Sequence, residues 1–459
     1  MSSSKETIVA ESRIPIQESA ASSATQEPSN SGARWQAAWR ALRHRNFQLF
    51  FSGQLISLIG TWMQSVAQSW LVYRLTGSAL LLGSVGFASQ IPVFLFAPLG
   101  GLTADRFNRR YIVISTQVAS MVLASVLAAL TLLHQVQVWH VFVLAALLGI
   151  VNAFDIPGRQ SFLVEMVGKE DLMNGIALNS SMFNGARVIG PAIAGILVAK
   201  IGEGWCFFAN AVSYIAVIIG LLLMKVHSPV RAAMASPLEH IMEGFRFVDR
   251  TAPIRALMLL LGLVSLVGMP YVVLMPIFAD QILHGGARGL GILMGATGVG
   301  ALGGALTLAF REGVRGLGRW VAWCCAGFGA SLTVFALSHT FWLSVLLLLP
   351  VGYSMMLQMA CSNTLIQVMV PDALRGRVMA VYSMMFMGMA PIGALLGGAM
   401  AEHLGAQRTV AIGGVACLAG AGWFRSQLPK IRVEARRLIV AQATAGGEPS
   451  EMTAQAVED

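Results

Sequence analysis

Charge is the feature this chain most lacks. Only 12% of its 459 residues are Asp, Glu, Lys or Arg, about half the ~25% usual in soluble domains. A chain of this length folded in water needs more polar cover, so the deficit points to lipid as the surrounding solvent. Cysteine is scarce as well. Cys206, Cys324, Cys325, Cys361 and Cys417 fall in or beside apolar runs, with neither metal-ligand nor disulfide-framework spacing. A phosphate-binding loop is missing, because Gly168-Lys169 runs straight into Glu170 without the upstream glycine or the Ser/Thr that such a loop requires. Zinc-ligand clusters, a nucleophile elbow and Rossmann glycines are also missing, so neither an enzyme nor a resident cofactor or metal is expected. The N-terminal stretch lacks the apolar core and cleavage-like site of a secretory signal. It is Ser-rich with Glu6, Glu11, Glu18 and Glu27, a composition that predicts a disordered tail.

Apolar residues are what the chain has, at 56% with a mean hydropathy of +0.69. They recur in runs near the ~20 residues that a helix needs to cross a bilayer. Roughly twelve spans result, at 46–74, 79–101, 111–133, 138–160, 172–200, 204–225, 254–282, 289–311, 318–338, 341–367, 372–401 and 406–425. This predicts an all-α membrane protein. Its parts are an N-terminal tail (1–45), a first bundle (46–226), a linker (227–253), a second bundle (254–426) and a C-terminal tail (427–459). In the linker, Leu238, Ile241, Met242, Phe245 and Val248 recur at helical spacing, which predicts an amphipathic helix lying on the membrane surface.

The net charge of +9 could suggest nucleic acid, but its placement argues against that partner. Alternate gaps hold Arg40, Arg43, Arg45, Arg106, Arg109, Arg110, Arg246, Arg250, Arg311, Arg315, Arg319, Arg375, Arg377 and Arg425. The other gaps keep only Arg74, Lys200, Arg288 and Arg408. This asymmetry predicts that the richer side is cytoplasmic, with both termini inside a cell inner membrane. The chain also resembles itself. LVEMVGKEDLMNGIA at 163–177 pairs with LIQVMVPDALRGRVM at 365–379, and each is followed by a small-residue helix. An offset of six spans implies two six-helix bundles in the same orientation, related by an axis along the membrane normal.

The most telling stretch is GGLTADRFNRR at 100–110, an acid and three arginines in a short loop between spans 2 and 3. Gly101, Ala104, Asp105, Arg106, Arg109 and Arg110 resemble the signature of the major facilitator superfamily, with Asn108 where glycine is usual. Asn tolerates left-handed backbone angles better than most residues. A second copy, GGALTLAFREGVRG, keeps Gly303, Gly304, Arg311 and Arg315 but lacks the aspartate. The stretch 154–197 is similar to the branch containing the enterobactin exporter and macrolide efflux proteins. Within it Gly185, Gly190, Pro191 and Gly195 approximate the span 5 motif associated with antiporters, with Ala194 loosening the match. The resemblance implies alternating access, export and proton antiport.

The repeat brings the start of span 11, Pro371 and Asp372, towards the 100–110 loop. Asp105 at that helix N-terminus would gain roughly 0.3–1 kcal/mol, while Arg109 or Arg110 pairs with Asp155. These contacts form a latch that closes the inner face, an arrangement the resemblance also implies; the alternative is a loop that only enforces topology. Arg187 is the one basic residue near mid-span, where insertion costs about 2.5–3.5 kcal/mol. Ser180, Asn184 and Arg187 share one helix face. Arg187 therefore either attracts an anionic or phenolic substrate or binds carbonyls of a neighbouring helix. Gln64, Gln68, Gln90, Gln358 and Asn363 line a wet path or join helices. The methionines at 355, 356, 359, 379, 384, 385, 387 and 389 either pack or accommodate varied apolar ligands. The candidate proton carriers are Asp155, Asp280, Glu402 and, more peripherally, Glu165; Asp155 is the best placed but is also assigned to the latch.

Expected partners are a small-molecule substrate, the bilayer and protons, for a protein that acts as a monomer. The expectations, in order, are a siderophore or amphiphile exporter, a multidrug or macrolide efflux transporter, and a transporter-fold sensor or scaffold.

Overall fold

The computed structural model describes residues 40–168, 170–224, 237–311 and 313–445. The tails expected to be disordered therefore lie, at 1–39 and 446–459, outside the described residues, as does the linker segment 225–236. Every regular element among the described residues is helical. They are α1 (Arg45–Thr76), α2 (Ala79–Arg106), α3 (Arg109–Leu132), α4 (Val138–Val167), α5 (Leu172–Ile201), α6 (Glu203–Leu223) and α7 (Pro237–Arg250). The second half holds α8 (Ala252–Ile282), α9 (Gly286–Ala309), α10 (Leu317–Leu337), α11 (Phe341–Met369), α12 (Asp372–Leu404) and α13 (Ala406–Ala445).

Ten of these helices, α2–α6 and α8–α12, are long and apolar enough to cross a bilayer. Helices α1 and α13 are longer than most, at 32 and 40 residues, but more polar. Outward-facing positions are apolar, among them Ile215, Leu222, Val299 and Leu346, as lipid requires. Exposed Trp139, Trp205 and Trp342 ring one end of the molecule, and Trp323 and Trp423 lie towards the other, like the aromatic belts of bilayer interfaces. The latter, called here the basic end, also carries Arg106, Arg109 and Arg110. Its opposite is the far end.

The two halves repeat one packing scheme. In the first, α1 packs on α5 and α6, α2 on α4, and α3 on α4 and α6. In the second, α8 packs on α12 and α13, α9 on α11, and α10 on α11 and α13. The halves meet where α2 lies along α12 and α5 along α9, two contacts that the repeat interchanges. Helix α7, which follows the first half in the chain, packs on α12 and the start of α8 and pairs Glu243 with Arg377. Gly244 is needed there, because a Cβ would come within 2.7 Å of the Arg377 carbonyl.

Local sequence sets the helix limits. Gly77 closes α1 at φ 63° with its N–H on the Tyr73 carbonyl, a conformation that glycine adopts without strain. Ser78 then caps α2 by accepting from the Leu81 N–H at 3.3 Å. Asn108 was expected to adopt left-handed angles, but it is extended, with φ −64° and ψ 115°. Its side chain accepts from the Arg110 N–H at 3.0 Å. Asn stands in for glycine here as a helix N-cap, a role for which it ranks among the best residues.

Three helices depart from expectation. Helix α4 ends at Val167, about two turns beyond the expected 160. Helix α13 runs through Ala445 instead of stopping near 425, because Leu428, Ile431, Ala435, Leu438 and Ile439 continue an apolar stripe that packs on the core. Helix α8 is not continuous. Pro270 and Pro276 remove backbone donors, and two π-helical turns flank the break, at Val264–Gly268 and Phe278–Ile282.

Candidate functional site

A cavity of about 460 Å³ lies between the halves, within the ~300–1,000 Å³ usual for small-molecule sites. Helices α1, α2, α4, α5 and α6 supply one wall, including Gln64, Gln68, Gln90, Arg187, Trp62 and Asn210. The other wall is Met269, Tyr271 and Val272 at the break in α8, Met294 and Thr297 of α9, and Met387 of α12. Broken helices are tolerated at this depth where they line a cavity. The sequence pointed to Gln64, Gln68, Gln90, Arg187 and Pro191. It did not point to Trp62 or Tyr271, although the Met269–Pro270 break beside Tyr271 was a readable signal.

Arg187 has the Trp62 ring 5.7 Å from its Cζ. Among the described residues it has no carboxylate partner and no hydrogen bond to a neighbouring carbonyl. The buried Tyr271 hydroxyl, beside Thr297, makes no standard hydrogen bond among the described residues. A guanidinium resting on an aromatic face and a phenol on the opposite wall give the cavity an anion-attracting, ring-accepting character. Gln64 is partly committed, since its Oε1 accepts from Asn210 Nδ2 at 2.6 Å.

Three of the expected path residues lie elsewhere. The Asn184 amide donates to the Ser180 carbonyl on its own helix at 2.9 Å and does not line the cavity. Gln358 is buried inside the second half with both amide atoms unpartnered. Asn363 accepts from Gln367 one turn further along α11. Helical spacing had put Asn184 on the Arg187 face, but packing turned the shorter side chain back to its own backbone.

The basic-end loop pairs differently from expectation. Asp155 does not meet Arg109 or Arg110. It accepts from Thr116 Oγ1 at 2.8 Å and Gln117 Nε2 at 2.9 Å, and pairs with Arg159 at 3.3 Å. The reason is the length of α4. Asp155 stands twelve residues before Val167, some 18 Å from the helix end at ~1.5 Å per residue. Arg109 instead reaches Glu165 at 2.9 Å, and Arg110 donates to the Leu221 and Leu222 carbonyls at the end of α6, each at 2.8 Å. These bonds all stay within the first half. Asp105 lies 3.9 Å from Arg109 and is 62% exposed, Asp372 is 85% exposed, and no bond joins them. Arg106 is exposed. A Cβ at Gly101 would meet open space, whereas one at Gly100 would clash with the Ala153 carbonyl of α4, so Gly100 sets that crossing. Beside the loop, His44 and then Arg40 hold the Asp171 carboxyl below the usual carboxylate range, at 2.9 and 3.3 Å.

The far end is joined across the halves. Tyr73 Oη donates to Asp280 Oδ2 at 2.8 Å. Glu402 accepts from Ser78 Oγ and the Leu80 N–H, each at 3.0 Å. Thus a carboxylate of the second half sits on the positive N-terminus of α2. Backbones touch as well. A Cβ at Gly83 would collide with the Ala394 carbonyl, and one at Gly195 would come within 2.9 Å of Gly291. Of the span 5 motif, Gly190 fits against Trp62 and Ile59 of α1, Gly195 makes this crossing, and a Cβ at Gly185 would meet nothing.

The profile of the family described as transmembrane secretion effector matches residues 36–444. The chain is 26% identical over 392 residues to the staphyloferrin A transporter of Staphylococcus aureus (strain NCTC 8325 / PS 47), covering 84% of this chain and 97% of that protein. It is 27% identical over 361 residues to the multidrug efflux pump Tap of Mycolicibacterium fortuitum, covering 76% and 88%. It is 25% identical over 357 residues to the enterobactin exporter of Escherichia coli O1:K1 / APEC, covering 77% and 85%. Among solved structures it resembles a bacterial homologue of the human lysosomal transporter Spinster in an inward-facing and occupied conformation. That match has a TM-score of 0.65 at 13% identity and covers 86% of this chain and 97% of the other. The nucleoside transporter NupG matches with a TM-score of 0.65 at 15% identity, covering 85% and 99%.

Proposed function

The chain belongs to the transmembrane secretion effector family of major facilitator transporters, and from that premise we propose that it exports an anionic, ring-bearing amphiphile of the siderophore type. Family members are transporters and not enzymes, and this chain is a multi-pass membrane protein. In the proposed arrangement twelve helices, α1–α6 and α8–α13, cross the inner membrane with the basic end and both termini in the cytoplasm. The positive-inside rule supports that orientation. Bonds between the halves at the far end, with Asp105 and Asp372 unjoined at the basic end, support an inward-open reading in which substrate loads from the cell.

The observation that carries this reading is Arg187, a guanidinium without a carboxylate partner, against Trp62 in a cavity between the halves. Loading an anion there supplies the missing counter-charge. The halves then rock, the Tyr73–Asp280 and Glu402 contacts break, and Asp105 comes to the N-terminus of α12 to latch the basic end. Antiport of protons supplies the drive, at roughly 2.3 kcal/mol per charge per 100 mV. Asp155, a buried carboxylate with Thr116 and Gln117 as donors, stands on α4, which lines the cavity through Asn152 and Ile156, and is the candidate carrier. The second reading, multidrug efflux, is favoured by Met269, Met294 and Met387 on the cavity wall, since thioethers repack around varied apolar shapes.

Everted vesicles test the choice. With an imposed proton gradient they should accumulate an iron-free catecholate or carboxylate siderophore. Arg187→Gln should cut that uptake at least tenfold while sparing a neutral hydrophobic dye. Dye transport without siderophore transport in the wild type would reverse the order of the two readings.

A further inference from the structure

A second hollow, about 490 Å³, opens at the basic end inside the second half, away from the cavity between the halves. Its lining comes from the start of α8, the α9–α10 loop, the end of α11 and the extended part of α13. Five arginines line it, Arg315, Arg319, Arg425, Arg432 and Arg436. Between them the walls are apolar, with Leu257, Met369, Phe424, Leu428, Ile431 and Ile439. Strong positive charge over an apolar floor is the complement of an anionic amphiphile.

Its depth is that of a bilayer boundary. Arg425 is nineteen residues beyond the start of α13 at Ala406, about 28 Å along the helix at ~1.5 Å per residue, close to the ~30 Å of a hydrocarbon core. The Arg425 guanidinium lies 5.1 Å from the exposed Trp323 ring, and tryptophan concentrates at headgroup level. The continuation of α13 past this level is what builds the groove. Its polar face brings Arg432 and Arg436 back over the mouth, and its apolar stripe supplies the floor.

We propose that this groove binds an anionic phospholipid of the surrounding leaflet, with the headgroup phosphate among the arginines and an acyl chain along Leu428, Ile431 and Ile439. Basic pockets between membrane helices are suited to such headgroups. Arginine also suits them better than lysine, because its fork matches phosphate oxygens in pairs. Helices α8 and α11 both contribute to the groove and belong to the half that must rock. A bound lipid therefore fills the gap between α13 and the α8 and α11 ends of its own half, whichever solute is carried.

The test is native mass spectrometry of the full chain in detergent, titrated with dioleoylphosphatidylglycerol or dioleoylphosphatidylcholine. The wild type should retain the anionic lipid at least tenfold better. The triple variant Arg319→Gln, Arg432→Gln and Arg436→Gln should lose that preference at an unchanged melting temperature in lipid-free detergent. A control with equal charge loss at the same end, Arg45→Gln, Arg246→Gln and Arg250→Gln, should keep it. The single variant Arg319→Gln, an exposed site, should weaken binding several-fold even if the triple variant fails to fold. Equal loss in the control would mean a diffuse surface charge and overturn the proposal. Full displacement by 10 mM inorganic phosphate would mean a free-anion site and also overturn it. So would lipid binding that appears only after Glu448, Glu451, Glu458 and Asp459 are neutralised to amides, because the chain's own acidic tail would then be the occupant.

Discussion

The two ends of the molecule are held by different kinds of bond. At the far end, besides the Arg74–Glu203 pair inside the first half, bonds run between the halves: Tyr73 to Asp280, Ser78 and the Leu80 N–H to Glu402, and backbone on backbone at Gly83 and Gly291. At the basic end they stay inside one half: Arg109 to Glu165, Arg110 to the end of α6, Arg375 to Asp372. Glu243 also pairs with Arg377 there, where α7 packs on α12. The charged loop that dominates the sequence is therefore not what joins the halves in this state. Its Asp105 is exposed and lies 3.9 Å from Arg109 of the same half. Small residues and two carboxylates, far less conspicuous in the sequence, do the joining.

The largest expected effect comes from wedging the far end. Gly83→Leu puts a side chain where the Ala394 carbonyl lies. Overpacking of about 1–3 kcal/mol should favour separation of the far end by roughly 5- to 150-fold, read as faster maleimide labelling of a cysteine placed at Leu75. Unchanged labelling would mean that this crossing does not seal the far end. Next is Arg109→Gln. It leaves Glu165 without its 2.9 Å partner in a half-buried place and should lower the unfolding free energy by about 1–3 kcal/mol. Because the pair sits within one half, the ratio of far-end to basic-end labelling should hold. A shifted ratio would make Arg109 part of the gate.

Asp280→Asn and Tyr73→Phe each remove the charge-assisted bond across the halves. Each should cost about 1–2 kcal/mol of far-end closure, and the double variant no more than the larger single one. Full additivity would mean that the two residues do not act as a pair. The smallest effect is at Asp105. Asp105→Asn should weaken only the state in which the basic end is closed, by roughly 0.3–1 kcal/mol. Slower basic-end protection is the expected readout, with far-end protection improved or unchanged.

Much of this was legible because lipid imposes strict rules on sequence. Run length follows from the need to satisfy each backbone bond inside a helix, and it marks out the ten long apolar helices. The cavity was legible in part. Arg187, Gln64, Gln68 and Gln90 stood out as polar residues at costly depth and do line it. Their company did not stand out, because Trp62 and Tyr271 are ordinary residues until packing sets them against a cavity. Asp155 was assigned the wrong partner because hydropathy ends α4 at the polar residues near 160, whereas the helix carries on to Val167 and takes Glu165 to the loop instead. The same effect hid the length of α13, whose apolar stripe beyond 425 is too diluted by arginine to read as a continuing helix. The state of the gates could not be read at all, since one sequence has to encode both.

Whether the two ends open in turn can be measured directly. Spin labels at Phe107 and Ala373 report the basic end, and a second pair at Leu75 and Leu404 reports the far end. The native cysteines are all buried and offer little background. Pulsed dipolar spectroscopy in liposomes, with and without a transported siderophore and a proton gradient, should show the 107–373 distance shortening as the 75–404 distance lengthens. If both distances move the same way, or neither moves while transport proceeds, the halves do not rock as described here.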